Sequence, residues 1–203
     1  ANVYVKPMAR TYLNKLNADL RALGLPRDMF IMLSNGGITS CAIAGEYPIR
    51  LIESGPAAGA LAASFYSKRQ NIKQQAQQDH SQQLDHVISF DMGGTTAKIC
   101  LIDEGQPQTS RFFEVAREYR FLKGSGIPLK IPVIEMVEIG AGGGSIAGVD
   151  AMKRISVGPE SAGSEPGPAS YGRGGDAPTV TDADVVLGRI DPDNFAGGSM
   201  RLD

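Results

Sequence analysis

Apolar residues recur at helical spacing in two stretches of the chain. Over residues 8–23 they fall every three or four positions and are followed by glycine and proline, so this pattern predicts an amphipathic helix. A second helix is predicted from Ser54, a residue suited to capping, with Pro56 in its first turn. Its alanines, together with Phe65 and Tyr66, form the face that we expect to be buried.

Short apolar runs predict buried strands further along the chain. The clearest two cover residues 87–90 and 97–102, and they flank the segment Asp91-Met92-Gly93-Gly94-Thr95-Thr96. A third strand is predicted over 111–116, and the three together are typical of an antiparallel meander. Residues 145–149 fit either a strand or the start of a helix, because periodicity does not separate the two.

Two polar segments and one further predicted helix complete the pattern. Residues 70–84 are rich in glutamine and fit a solvated helix end or a linker. Residues 158–178 are dense in glycine, proline and serine, and a loop of this length is either functional or disordered. Thr181 followed by Asp184 matches a capping box, which predicts a short helix there.

The composition is that of an ordinary globular protein. The 203 residues are 42% hydrophobic and 21% charged, with a net charge of -2, which argues against a nucleic-acid binder that relies on a basic surface. No apolar stretch is long enough to span a bilayer, and Cys41 and Cys100 predict two reduced core thiols. We therefore expect a cytoplasmic protein. Because the chain opens with Ala1, we expect one domain over 1–203 cut from a longer protein.

The segment 91–96 carries the groups that a phosphate site needs. Gly93 and Gly94 would let the backbone approach phosphates closely. Thr95 and Thr96 offer hydroxyl donors, and the Asp91 carboxylate could hold Mg²⁺ through its waters or orient an attacking water. A plain tight hairpin explains the same residues, with glycine chosen for positive φ and threonine for β propensity. Spacing alone leaves both interpretations open.

Two further features could support such a site. Gly142, Gly143 and Gly144 with Ser145 end an apolar run, and they could let a ligand lie against the backbone. A flexible turn or a close packing contact is the alternative. Lys98 could project its charge toward a phosphate, or it could be an exposed strand lysine.

A series of short segments carries a family resemblance. In chain order they are FDMGGTTAK (90–98), KGSGIP (123–128), EIGAGGGSIA (138–147), VGPESAG (157–163), PGPASYGRGG (166–175), PTVTDAD (178–184) and DPD (191–193). Together they resemble the hydantoinase A/5-oxoprolinase family, and the match covers about residues 35–198. Several motifs in one order are far more specific than a single glycine loop.

The resemblance implies a fold and a site. The fold is α/β, with a mixed sheet and flanking helices, forming one lobe of the sugar kinase/actin-like (ribonuclease H-like) ATPase fold. The cofactors are ATP and Mg²⁺, and Asp91 is both the catalytic and the metal-binding residue. The residues implied to bind the cofactor are Gly93, Gly94, Thr95, Thr96, Lys98, Gly142, Gly143, Gly144 and Ser145.

The resemblance also implies an activity. Family members use ATP to open cyclic amides such as hydantoins or 5-oxoproline, and relatives carboxylate ketones; in both, ATP phosphorylates a poorly reactive carbonyl or enol oxygen. We therefore expect an ATP-dependent cyclic amidohydrolase, an oligomer acting on a small cyclic amide or ketone with a hydantoinase B-type subunit or domain as its partner. A ketone carboxylase subunit, a small-molecule kinase and a non-enzymatic actin-like nucleotide switch are the alternatives.

Some positions depart from the family pattern. Many relatives carry a second aspartate where this chain has Ala97-Lys98, which is similar to the N-methylhydantoinase and acetone carboxylase β-subunit branch and argues against 5-oxoproline as the substrate. Many also carry cysteine at the position of Ser170. The family's other Asp-x-Gly-Gly-Thr-type loop does not occur in these residues, so we expect the chain alone to be catalytically incomplete.

Overall fold

The computed structural model of the chain describes residues 1–76, 83–116 and 124–203, and these fall into two units. The first unit comprises Ala1–Ser89 with Cys100–Met136, and the second comprises Phe90–Ile99 with Val137–Asp203. Residues 77–82 of the possible linker and Lys123 of the 123–128 motif lie outside the described residues.

The described chain contains both helices and short strands. The helices are α1 (Asn2–Ala22), α2 (Cys41–Glu46), α3 (Ser54–Ala76) and α4 (Val180–Val186). The strands are β1 (Phe30–Met32), β2 (Ile38–Ser40), β3 (His86–Met92), β4 (Ala97–Asp103), β5 (Gln106–Pro107), β6 (Thr109–Ser110), β7 (Phe113–Val115), β8 (Ile127–Leu129), β9 (Val133–Ile134), β10 (Val137–Ile139), β11 (Ser145–Val149) and β12 (Ile155–Ser161). Within the described chain, the strands β3 to β12 follow one another without an α-helix between them. This mixture of helices and strands is the α/β class that the sequence predicts.

Both long predicted helices exist and extend beyond their apolar patterns. Helix α1 begins at Asn2, ahead of the predicted start at residue 8. Helix α3 begins at Ser54, has Pro56 in its first turn as predicted, and continues to Ala76. Residues 70–76 of the possible linker are therefore a helix end, which agrees with the good helix propensity of glutamine.

The aromatic pair of α3 is not buried, and that part of the prediction is wrong. Phe65 and Tyr66 are 59% and 65% exposed. The buried stripe of α3 instead consists of Ala57, Ala60, Ser64 and Ser67, which recur every three or four residues. Residues one or two positions beyond Ser64 are turned well away from that stripe, so the apolar composition of the helix was a poor guide to its buried face.

Small side chains build the main hydrophobic core of the first unit. Ala57 and Ala60 of α3 pack against Cys100 and Ile102 of β4 and against Ile134 of β9. Because alanine has a short side chain, the helix can approach the strands closely. Cys41 and Cys100 are both buried and free, as predicted, and burial raises the pKa of the Cys100 thiol.

Strand β4 has three neighbours. It lies between β10 and β3, and it also pairs with β5. The β10–β4 pair is antiparallel, with Glu138 opposite Lys98. The third strand of the predicted meander does not join this sheet, because β7 pairs with β8 instead. Pro107 of β5 cannot donate to a ladder, which limits the pairing of β4 with the residues that follow it.

The second unit settles the segments that the sequence left open. Residues 145–149 form strand β11, which pairs with β12 in antiparallel register. The glycine- and proline-rich stretch 158–178 has defined structure, because it includes the end of β12 and the 3-10 helix Ala169–Tyr171. Among the described residues, no helix is both long and apolar enough to cross a membrane.

Helix α4 begins earlier than predicted. The capping box is formed by Thr179 and Asp182, so the predicted pair Thr181 and Asp184 is wrong by two positions. Both pairs match the same sequence pattern. The hydroxyl of Thr181 is hydrogen-bonded instead to the carbonyl oxygen of Gly143, a contact that local spacing does not reveal.

Candidate functional site

The predicted phosphate loop forms the turn between β3 and β4. Its closing hydrogen bond runs from the amide of Gly93 to the carbonyl oxygen of Thr96 over 2.9 Å. Neither Gly93 nor Gly94 is among the glycines with positive φ. The plain-hairpin interpretation explained these glycines by positive φ, so that reason does not apply to this turn.

Open space lies beside Gly93 and Gly94, where the fold could accommodate a side chain. A Cβ atom placed on Gly94 would meet no atom within 4 Å, and one on Gly93 would meet only the Thr96 carbonyl oxygen at 3.7 Å. Neither conformation nor crowding within the described chain requires glycine here. Space left open beside a backbone is what a closely approaching ligand needs.

The triple glycine packs directly against this turn. A Cβ atom on Gly142 would lie 2.5 Å from the nitrogen of Thr95 and 2.7 Å from the carbonyl oxygen of Gly93. The amide of Gly143 donates to the carbonyl oxygen of Gly93 over 2.9 Å, and that of Gly144 donates to the carbonyl oxygen of Gly94 over 2.8 Å. Of the open interpretations, the close packing contact is the one observed, and its partner is the predicted phosphate loop.

This packing orients two backbone donors of the turn. A peptide unit is planar and trans, so a carbonyl held in place fixes the direction of the N–H that follows it. The held carbonyls of Gly93 and Gly94 therefore fix the amides of Gly94 and Thr95. Within the described chain, these two amides and the Thr95 hydroxyl donate to no acceptor. The turn thus presents three available donors in an orientation set by the second loop.

The carboxylate of Asp91 is likewise available. It is half-buried at the end of β3 and accepts no hydrogen bond from any residue that the structure describes. Among those same residues, no group of three or more His, Cys, Asp or Glu side chains could hold a metal ion. Mg²⁺ commonly takes only one or two protein carboxylates and completes its shell with water and phosphate oxygens. Asp91 therefore fits a magnesium ion bound together with a nucleotide.

Lys98 is held by two oxygen atoms close to the turn. Its Nζ donates to Oγ1 of Thr96 over 2.5 Å and to Oε1 of Glu138 over 2.8 Å, and its side chain is only 11% exposed. Sequence reasoning missed Glu138, because the register of β10 against β4 brings it opposite Lys98. The ion pair fixes the ammonium group, and it leaves the proton of the Thr96 hydroxyl free to donate.

Ser145 closes the triple-glycine loop from inside. Its side chain is buried, and its Oγ accepts a hydrogen bond from the amide of Gly142 over 2.9 Å. The structure therefore places the predicted residues 93–96, 98 and 142–145 in one unit, but in different positions relative to the open turn. The donors of the 91–96 segment are accessible, whereas Ser145 is enclosed.

The start of helix α4 supports the triple-glycine loop, a contact that sequence reasoning missed. The backbone amide and Oγ1 of Thr181 both donate to the carbonyl oxygen of Gly143, over 2.8 Å and 2.9 Å. The neighbouring Asp182 carboxylate accepts hydrogen bonds from the amides of Ala169, Ser170 and Thr179 and from the Thr179 hydroxyl. The sequence signals for this region were the family-like segment 178–184 and a capping-box pattern placed two residues too late.

The ionisation of Asp182 reflects these contacts. Burial is the largest single influence and raises its pKa, but the hydrogen bonds from the Ser170 amide and from the Thr179 amide and hydroxyl together outweigh burial and hold the pKa below its usual range. The carboxylate is therefore ionised at neutral pH. It ties the 3-10 helix of the glycine- and proline-rich stretch to the first turn of α4.

Comparison with known proteins shows which family the chain matches. The family model described as hydantoinase/oxoprolinase matches residues 1–203. An uncharacterised protein of Methanocaldococcus jannaschii is 42% identical over 204 residues, which cover 99% of this chain and 28% of that protein. The caprolactamase subunit alpha of Pseudomonas jessenii is 35% identical over 202 residues, which cover 100% of this chain and 26% of that protein.

Two solved structures are similar to the chain as well. A nucleotide-free structure of acetone carboxylase, from work on ATP-dependent acetone carboxylation, has a TM-score of 0.68 at 27% identity and covers 96% of this chain. The ATP-dependent caprolactamase of Pseudomonas jessenii has a TM-score of 0.59 at 34% identity and covers all of it. The chain spans about a quarter of these relatives, with 24% and 26% of the two solved chains matched. The predicted α/β fold of the actin-like ATPases is confirmed.

Proposed function

This chain belongs to the hydantoinase/oxoprolinase family, and we propose that it supplies the phosphate-binding part of an ATP-dependent enzyme that opens a small cyclic amide. The observation that carries the proposal is the pair of packed glycine loops. They leave the amides of Gly94 and Thr95, the Thr95 hydroxyl and the Asp91 carboxylate without partners in the described chain. These are the groups that a magnesium-bound phosphate chain requires.

Each group of the turn has a distinct task in this proposal. The amides of Gly94 and Thr95 and the threonine hydroxyls donate to phosphate oxygens, and the glycines give those oxygens room to approach. Asp91 would hold Mg²⁺ through its carboxylate or an intervening water. Mg·ATP would supply a γ-phosphoryl group to the carbonyl oxygen of the cyclic amide, with ADP as the leaving group.

The remaining predicted residues act on the turn rather than on the nucleotide. Gly142, Gly143 and Gly144 hold the carbonyls of the turn, and Ser145 holds the triple glycine in its conformation. Lys98, fixed by Glu138, contributes positive charge beside Thr96. Donors that are already oriented stabilise the charge of a transferring phosphoryl group without further rearrangement.

The relatives support a cyclic amide as the substrate and a multi-subunit assembly. One of them is named as the alpha subunit of a caprolactamase. We propose a hydantoinase B-type subunit or domain as the partner of the full-length protein. The partner would contribute the part of the substrate site that this chain does not contain.

Ketone carboxylation is the second candidate, favoured by one observation. The acetone carboxylase structure has the higher TM-score, 0.68 against 0.59, although the caprolactamase has the higher identity, 34% against 27%. Both activities begin with a carbonyl compound and ATP. The phosphate-binding turn therefore does not distinguish them, and the substrate must be found by experiment.

The experiment is ADP release by the full-length protein, with and without its partner subunit. The substrates are caprolactam, hydantoin, N-methylhydantoin and 5-oxoproline, and acetone with bicarbonate. Release stimulated by a ring amide, with the opened product detected, supports the amidohydrolase. Release that requires both ketone and bicarbonate supports the carboxylase instead. A stable phosphorylated product, or ATP binding that no substrate stimulates, would contradict both and favour a kinase or a nucleotide switch.

A further inference from the structure

We propose that Thr181 is a positioning residue that sets the direction of the phosphate-binding amides through Gly143. The inference rests on the proposed phosphate-binding role of the turn between β3 and β4. Thr181 lies on α4 and does not belong to that turn, and its hydrogen bonds to Gly143 link it to the turn through the triple glycine.

The contact between Thr181 and Gly143 is short and buried. Thr181 is 7% exposed, and both of its donors engage the one carbonyl oxygen of Gly143. A Cβ atom on Gly143 would lie 2.8 Å from Oγ1 of Thr181, closer than a side chain tolerates. Two donors on one oxygen fix the direction of that carbonyl more tightly than a single donor does.

Gly143 transmits this constraint to the turn. Its carbonyl oxygen is held by Thr181, and that carbonyl shares a planar peptide unit with the amide of Gly144, which donates to the carbonyl oxygen of Gly94 over 2.8 Å. The carbonyl of Gly94 and the amide of Thr95 belong to the next such planar unit in the turn, so they turn together. Removal of one hydrogen bond at Thr181 therefore loosens the support of a donor two contacts away.

Thr181 can serve as a fixed point because its own helix start is anchored. The capping box of Thr179 and Asp182 encloses it in sequence, and the Asp182 carboxylate also accepts from the amides of Ala169 and Ser170. Thr179 is 2% exposed. Each hydrogen bond to a carboxylate is stronger than one between neutral groups, so the first turn of α4 is well held.

The test compares three variants of the full-length protein. Thr181→Val keeps the shape of the side chain and removes the hydroxyl, whereas Thr181→Ser keeps the hydroxyl. Ser64→Ala is the matched control, since Oγ of Ser64 also donates from a buried position to a loop carbonyl, that of Gly105, over 2.6 Å. It removes an equivalent hydrogen bond in the other unit.

Two measurements are made on each protein. Hydrogen exchange of the Gly143 and Gly144 amides, which donate to the turn, is followed without nucleotide, and the Kd for Mg·ADP is measured by calorimetry. We expect Thr181→Val to speed exchange and weaken binding about five-fold, as the loss of one hydrogen bond predicts. Thr181→Ser and Ser64→Ala should stay close to the wild-type protein in both measurements.

The outcomes separate this inference from the proposed function. Wild-type exchange rates and wild-type affinity in Thr181→Val would overturn the positioning role while leaving the phosphate site intact. A wild-type protein that binds neither Mg·ADP nor Mg·ATP would overturn the proposed function. The exchange rates would then still test whether Thr181 stabilises the contact between Gly143 and the turn. If Thr181→Val does not fold, Thr181→Ala replaces it in the test. The smaller alanine side chain also lacks the hydroxyl and causes no steric clash, and we expect the same faster exchange and weaker binding.

Discussion

The amide nitrogen of Gly143 donates a 2.9 Å hydrogen bond to the carbonyl oxygen of Gly93. This contact joins two glycine-rich loops that are distant in sequence, and it orients the amide of Gly94 through the planar peptide unit. The absence of a side chain has a different consequence in each loop. In the triple glycine it allows close packing within the protein, whereas in the turn it leaves a surface open.

Asp91→Asn should abolish most of the ATP-dependent activity without affecting folding. The carboxylate accepts no hydrogen bond within the described chain, so its loss removes no contact from the fold. An amide is a poor magnesium ligand by comparison, and we expect ATP turnover by the full-length protein to fall about 100-fold or more. Thermal unfolding should be unchanged.

The control for this variant is Asp103→Asn, at the other end of β4. Asp103 pairs at the surface with His86, so this change also removes one carboxylate from the same pair of strands. Its turnover should match that of the wild-type protein. Equal turnover in Asp91→Asn and Asp103→Asn would mean that Asp91 has a structural role and not a catalytic one.

Alanine should have opposite effects in the two glycine loops. Gly142→Ala places a methyl group 2.5 Å from the nitrogen of Thr95, and we expect it to lower the free energy of unfolding by about 2 to 3 kcal/mol. Gly94→Ala meets no atom within 4 Å, so the fold should tolerate it while the affinity for Mg·ADP falls. Urea unfolding and calorimetric titration of both variants test this. Unimpaired nucleotide binding by a folded Gly94→Ala protein would show that the open surface is not the phosphate site.

Ser170→Ala should stabilise the protein. The Ser170 side chain is buried, and its Oγ has no hydrogen-bond partner within the described chain. A buried hydroxyl without a partner carries a desolvation cost, so its removal should raise the free energy of unfolding by about 1 kcal/mol. Ser145→Ala is the comparison, because Oγ of Ser145 accepts from the amide of Gly142 and its loss should destabilise by a similar amount. If urea unfolding shows that both substitutions change the free energy of unfolding in the same direction, this prediction is wrong.

Asp182→Asn should remove part of the loss of stability in acid. The pKa of Asp182 is held below its usual range, so the carboxylate stabilises the folded state above about pH 4, and this contribution disappears as pH falls through the lower folded value. The variant should be less stable at pH 7, because an amide oxygen cannot replace a carboxylate with four donors. Its stability should also decrease less between pH 7 and about pH 3 than that of the wild-type protein.

The control for the pH experiment is Asp176→Asn. Asp176 is exposed and makes no hydrogen bond or ion pair with any described residue. Urea unfolding across the same pH range should give this variant the wild-type profile. An unchanged acid profile in Asp182→Asn would mean that its four hydrogen bonds do not favour the ionised form.

Local signals in the sequence determined the class of fold and the segment that carries the chemistry. Apolar periodicity predicted α1 and α3, and the strands on either side of the 91–96 segment were found from their apolar runs. These features depend on residues close together in the chain, such as a capping serine or a run of β-branched residues. Motif order gave the family, which the match over residues 1–203 confirmed.

Only the tertiary structure decided what those residues contact. The register of β10 on β4 pairs Lys98 with Glu138. The capping box is formed by Thr179 and Asp182, while the Thr181 hydroxyl donates to the carbonyl oxygen of Gly143. The reason for the triple glycine is also tertiary, since its Cβ positions are occupied by atoms of the other loop, of α4 and of Ser161 in β12. The sequence shows where a glycine leaves out a side chain. The fold determines whether other protein atoms fill that space or whether it stays open to a ligand.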